Sequence, residues 1–439
     1  MENMMTQLGV GVMALLIVLM LLRKWNMSLE GIVLKSSINR LLFWKKSMVT
    51  TLQYMKRNIY LLLLSFVVLS ILACDNTKNK PEVGGRKIMF VENKSEHDKL
   101  ELSQNRRYIQ LDTQEECLIT EITQLLCTSK EIFIFDVYSQ SVFVFSYEGK
   151  YLRKLHRIGQ GPGEYSMMSA ISLNEQDHRI SIVDLGSRII NYDMDTFECL
   201  EQQSIDAVSA EEVAKGEYIA YNSLPVMKKD VKHKFHLLQY DKQGNIEKKY
   251  VPIDFESGYS MRPIHRFYRQ GNDIFFYPPF TSEVYKITKD SYFVCYNVAY
   301  ENLSFPPLEY LQSSEMKGEN YISKLYNEHY IYSVQFFENK DFFVSLFNVE
   351  KKGYIGIYDK NRDKGSYFFR KTYLAPNQEI DYFQIVGSCG DDFIAVLKPF
   401  DIKENVKVRD TELGKIINNT KEDSNPILMF FQFRDENFI

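Results

Sequence analysis

From residue 108 onward, apolar and polar residues alternate with a period of two over short runs, and helical periodicity is scarce. That is the pattern of half-buried strands separated by turns. The runs group into units. In each, a stretch of β-branched and aromatic residues leads through a polar turn into a second stretch that ends on an aromatic. IFIFDVYSQSVFVFSYEGKYLRKL starts at Ile132, ISIVDLGSRIINYDMDTFECLEQ at Ile180, KFHLLQYDKQGNIEKKYVPI at Lys234 and IFFYPPFTSEVYKITKDSYFVCYNV at Ile274. FFVSLFNVEKKGYIGIYDKNRDKGSYFF starts at Phe342, and FIAVLKPFDIKEN at Phe393 is completed by PILMFFQF at Pro426. A repeat of roughly 50 residues in an all-β chain predicts propeller blades, each too small to bury its own faces and therefore packed on its neighbours around an axis. Six such units predict an all-β, six-bladed β-propeller over residues 107–439. Closing the ring needs one blade built from both ends of the chain, and Tyr108 to Asp112 with Ile427 to Phe433 are the strands expected to form it.

Composition supports this organisation. The chain has 439 residues with 29 Tyr, 30 Phe and 2 Trp, against only 21 Gly and 12 Pro, which excludes disorder or low complexity for most of its length. Blade-on-blade packing consumes large flat side chains, so an aromatic excess is expected of a closed ring of sheets. The net charge of −4 leaves no global basic field for a polyanion, so nucleic acid is not an expected partner.

The N-terminal part differs. Apolar runs span Leu8 to Leu22 and Ile59 to Ala73, predicting one or two apolar helical segments ahead of the propeller. The second run follows Lys56 and Arg57 and ends Ala73-Cys74, the layout of a secretory signal with its charged start, apolar middle and small-residue cleavage site. Residues 55–73 are therefore expected to be a signal peptide, and 74–106 a polar tether and lead-in. Residues 1–54 are either an extension ahead of a true start at Met55 or a segment whose run 8–22 forms a short transmembrane helix.

Two resemblances sharpen the picture. Ile71-Leu72-Ala73-Cys74 resembles the lipobox of bacterial lipoproteins, with Leu72 where a smaller residue is commoner; it implies that Cys74 is diacylated and becomes the mature N-terminus. Two acyl chains give stable anchoring. The junction GKYLRKLHRIGQGPGEY, followed by ISIVDLGSRIINYDMD, resembles the NHL-type propeller repeat. With YIQLDTQEECLITEI, NDIFFYPPFTSEVYKI and NPILMFFQF, it is similar to the six-bladed β-propeller lipoproteins of Bacteroides and relatives. That likeness implies a cell-envelope protein, in the outer membrane, with the face of the membrane left open.

Candidate chemistry is sparse. Gly159, Gly161, Pro162, Gly163, Glu164 and Tyr165 mimic a phosphate loop, but no Lys-Ser/Thr follows, so they are expected to shape the connection between blades. His233 and His236 sit three apart in a strand, on opposite faces, and predict no metal site. Asp184 and Arg188 read as a pair across a turn. Of the five cysteines beyond Cys74, none has CxxC spacing, and they read as buried free thiols. Arg262, His265, Arg266 and Tyr268 form the best concentration of donors and rings for an anionic or sugar-like ligand. The sequence thus predicts a lipid-anchored envelope propeller that binds a small molecule, a glycan or an envelope protein, with no cofactor, metal or catalytic residues. The alternatives are a propeller enzyme of lyase or lactonase type, with a metal or a His/carboxylate cluster in its channel, and a structural partner of an outer-membrane complex.

Overall fold

The structure, a computed structural model, describes residues 84–94, 99–185, 187–222, 234–254, 265–313, 321–371, 374, 380, 383–405 and 411–434. Cys74, the signal-like run and both apolar helical segments expected near the N-terminus lie outside these residues. Two strands, β1 (Arg86–Glu92) and β2 (Arg107–Gln110), precede the first complete sheet, β3 (Gln124–Cys127), β4 (Glu131–Asp136), β5 (Ser141–Ser146) and β6 (Tyr151–Leu155). The second comprises β7 (Met168–Asn174), β8 (Arg179–Asp184), β9 (Arg188–Asp193) and β10 (Cys199–Gln203), and the third β11 (Ser209–Ala214), β12 (Glu217–Tyr221), β13 (Phe235–Tyr240) and β14 (Ile246–Pro252). β15 (Phe267–Gln270), β16 (Asp273–Phe276), β17 (Glu283–Ile287) and β18 (Tyr292–Tyr300) make the fourth. Helices α1 (Leu308–Gln312) and α2 (Tyr321–Asn327) lead into the fifth: β19 (Ser333–Glu338), β20 (Phe342–Val349), β21 (Lys352–Asp359) and β22 (Lys364–Phe369). The sixth holds β23 (Gln384–Cys389), β24 (Asp392–Leu397) and, after α3 (Pro399–Asn405) and α4 (Glu412–Asn419), β25 (Ile427–Phe431).

β2 completes that sixth sheet. It pairs antiparallel with β25, Tyr108 opposite Met429, so the two ends of the chain share one blade as the sequence led one to expect. The inner strands β3, β7, β11, β15, β19 and β23 pack side by side in that order, and β23 returns against β3. The architecture is a closed six-bladed propeller.

Three features depart from the sequence reading. First, the central strands are buried on both faces: in β4, Ile132 and Ile134 pack toward the sixth blade while Phe133 and Phe135 pack toward the second. A strand clamped between two sheets shows a continuous apolar run rather than alternation. Second, the run beginning at Lys234 is the outer half of the third blade; its inner half is β11 and β12, whose Glu211, Glu212 and Glu217 break the apolar pattern. Third, β1 lies within the stretch read as tether and lead-in, yet it pairs parallel with both β18 and β22 and joins the fourth and fifth blades into one nine-stranded sheet. Phe90 is fully buried there, stacked on Tyr300, and it occupies the space that glycine leaves at Gly356: a Cβ at that position would lie 2.9 Å from the Phe90 ring.

All five cysteines among the described residues are free. Cys117 is buried, as read, but Cys199 is exposed.

Candidate functional site

The six inner strands surround an axial channel of about 1240 Å³, lined by residues of every blade. Inner strands in a propeller border the water of the channel, so they tolerate polar side chains that the sandwiched central strands would not accept. Here those side chains are tied to one another. The Gln124 amide spans two blades, accepting from the Ile171 N–H at 2.9 Å and donating to the Ile171 carbonyl at 2.7 Å. Glu211 receives Arg269 at 2.7 Å. Glu212 is buried against Arg179 and also accepts from Asn174 at 2.6 Å and from the Gly216 N–H at 2.7 Å. Glu338 accepts from Tyr268 at 2.9 Å, Tyr296 at 2.6 Å and Lys360 at 2.6 Å. Each of these carboxylates therefore has a cation, and Glu212 and Glu338 have further donors, which is what a buried charge needs to be tolerated.

The segment singled out in the sequence divides. Arg262 lies outside the described residues. His265 and Tyr268 line the channel. The His265 ring sits within 3.5 Å of the Gln124 amide, burial drives its pKa down so that the imidazole is neutral, and its Nδ1 has no partner. Tyr268 stacks on Phe275 with ring centroids 4.9 Å apart. Its phenol is pushed well above the ordinary tyrosine range by burial and then by the Glu338 charge, which makes it a fixed hydrogen-bond donor rather than a proton carrier. Arg266 is buried beside the channel instead of lining it, between Tyr277 and the Val334 carbonyl.

The glycine-rich junction is a self-contained turn. The Glu164 carboxylate accepts from the Gly161 N–H at 2.8 Å, and a Cβ at Gly159 would collide with that carboxylate at 2.0 Å. Only Gly163 of the three uses a positive φ, +68°. Tyr165 is fully buried; its hydroxyl donates to the Gln140 carbonyl at 2.8 Å and accepts from the Arg157 N–H at 3.0 Å. Arg188 contacts Asp184 at 3.2 Å and donates to the Glu164 carbonyl at 2.7 Å, locking the same turn. His233 lies outside the described residues, and His236 is buried against the rings of Tyr221 and Phe276. Among the described residues no group of three His, Cys, Asp or Glu is placed to hold a metal ion.

Sequence reasoning missed Gln124, Glu211, Arg269 and Glu338. One signal was present: paired glutamates inside the otherwise apolar run SAEEVA mark a strand with a wet face. It was obscured because the repeat was registered on the second strand of five units and on the third strand of the unit at Lys234, leaving the inner strands among the connections.

The comparisons with known proteins agree with this geometry. A family model described as a 6-bladed beta-propeller matches residues 76–396. Among solved structures, a Bacteroides fragilis protein described as exported aligns at 23% identity with a TM-score of 0.69, covering 80% of this chain and 100% of that one. A member of the DUF4221 family from Bacteroides vulgatus aligns at 11% identity with a TM-score of 0.49, covering 77% of this chain and 99% of that one. The Bacteroides fragilis likeness bears on the fold alone. No curated protein matches the chain.

Proposed function

The chain belongs to the six-bladed β-propeller family, and from that premise we propose that it is a lipid-anchored binding module of the bacterial cell envelope, holding a ligand in its axial channel without catalysing a reaction on it. The observation that carries this reading is the channel itself: about 1240 Å³ in volume, with contributions from all six blades and with His265 and Tyr268 in its wall. Concave sites of this size with a few convergent polar groups are where small ligands bind. The carboxylates around it are closed by Arg269, Arg179 and Lys360, which suits a rigid receptor better than a centre that must move protons. Anchoring rests on the run that ends at Ile71-Leu72-Ala73-Cys74, and an exported location is the one described for the Bacteroides fragilis neighbour.

Two experiments test the two halves. Gln335 and Gln384 sit on inner strands, are exposed and line the channel, so Gln335→Trp and Gln384→Trp should fill it without disturbing the blades. Ligands that raise the melting temperature of the full chain in a screen of small envelope metabolites and oligosaccharides should lose that effect in both variants; full retention would move the ligand off the axis. For the anchor, intact-mass analysis of the native protein should find a diacylated species beginning at Cys74, and Cys74→Ser should release the protein from the membrane fraction. A mature species that still carries residues 1–54 would contradict the anchor.

A further inference from the structure

Among the described residues, Arg266 departs from the way the other cations around the channel are held. Arg179 is closed by Glu212 and Glu201, Arg269 by Glu211 and Lys360 by Glu338. Arg266 is 3% exposed and no carboxylate pairs with it among the described residues. Its Nη1 reaches only the Val334 carbonyl, at 3.4 Å; the guanidinium lies near Tyr221 and 5.5 Å from the Tyr277 ring centroid, and Nε has no partner. The other titratable groups around it add no negative charge. His236 is held neutral by burial and by Arg266 itself, and burial raises the phenols of Tyr221 and Tyr277. A guanidinium cannot shed its proton, and a buried unpaired charge is strongly unfavourable, so among the described residues this is the place that calls for a counter-anion.

We propose that Arg266 is the receptor for an oxyanion, a carboxylate, sulfate or phosphate group on a small ligand that enters the channel and reaches the guanidinium by displacing the Val334 and Tyr277 side chains that screen it. Val334 and Tyr277 line the channel, so the guanidinium stands one residue behind its wall at blades 4 and 5, with Tyr221 and His236 of blade 3 closing the far side. The planar fork suits two oxygens of one group, and the tyrosine rings suit the apolar face of a ring that carries it. This inference rests on the axial-channel reading and names its ligand class.

The test uses the full chain in detergent, with sodium glucuronate, inorganic phosphate and glucose as probes in chloride buffer at matched ionic strength. Wild-type melting temperature should rise with glucuronate or phosphate concentration, as expected when a ligand binds only the folded state. Arg266→Met should melt at or above the wild-type temperature in chloride alone, because an apolar side chain replaces an uncompensated charge, and its apparent affinity for the anions should fall at least about tenfold. Arg266→Lys, which keeps the charge and loses the fork, should retain a weakened response, and it carries the test if the Met variant does not fold. An equal response in wild type and Arg266→Met, or none to either anion in wild type, overturns the oxyanion assignment. Should glucose stabilise the wild type as much as glucuronate does, and Gln335→Trp abolish both effects, the channel reading stands while the assignment to Arg266 falls.

Discussion

His236 is packed among the rings of Tyr221 and Phe276, and burial, reinforced by the charge of Arg266, lowers its pKa from 6.5 to about 3. The unfolded chain takes up a proton near pH 6.5 that the folded chain refuses, so this group's contribution to stability is intact above pH 6.5. It is lost progressively toward pH 3, by about 1.4 kcal/mol per pH unit at its steepest. Denaturant titrations at pH 7 and pH 4.5 should show a smaller acid loss for His236→Phe than for the wild type; equal losses would assign the titration to another group. Glu338 gives a second expectation at this scale. Its side chain is fully buried and serves Lys360, Tyr268 and Tyr296 together. Glu338→Ala should therefore cost about 3–5 kcal/mol in urea unfolding. Breaking the exposed pair of Lys340 with Asp391 by Lys340→Ala should leave the unfolding midpoint nearly unchanged by comparison.

Strands differ in how clearly the sequence announces them. Long central strands such as β20 and β21 carry continuous apolar runs and were legible at once. The inner strands β3 and β15 have four residues each and present polar groups to the channel, so they merge into the connections on either side. Two of the four residues singled out for binding reach the channel, because His265 stands just before one of these short strands and Tyr268 lies within it. The bridging strand β1 was hidden for a different reason. Its partners β18 and β22 lie more than 200 residues away, and parallel pairing leaves no hairpin turn as a signature. Its fit at Gly356 is testable as a pair. Gly356→Ala should cost about 1–3 kcal/mol by crowding Phe90, Phe90→Ala about 3–5 kcal/mol, and the glycine substitution should cost less in the Phe90→Ala background.

Ring closure is the property that belongs to the molecule as a whole, and Asn425 fastens it. Its Nδ2 donates to the Asp112 carbonyl at 2.7 Å and the Cys117 carbonyl at 2.8 Å, its Oδ1 accepts from the Ile119 N–H at 2.8 Å, and its own N–H reaches the Thr113 hydroxyl at 3.0 Å. Four bonds thus join the last strand's approach to the segment after β2. Asn425→Ala should cost at least about 2 kcal/mol, with hydrogen-exchange protection lost in β2 and β25 first. Cys127 and Cys389 sit on β3 and β23 at the same seam. The Cys389 thiol is held below its ordinary range by its hydrogen bond with Cys127, which is correspondingly raised. Alkylation followed by peptide mapping should modify the exposed Cys199 readily and Cys389 ahead of Cys127; the reverse order for that pair would contradict the seam geometry.

The position of β1 also has a mechanical consequence. It precedes β2 in the chain and is gripped on both edges, so a pull arriving through the N-terminal side of the domain meets β1 before the closing pair of β2 and β25. The ring's clasp thus stands one fastening behind the load.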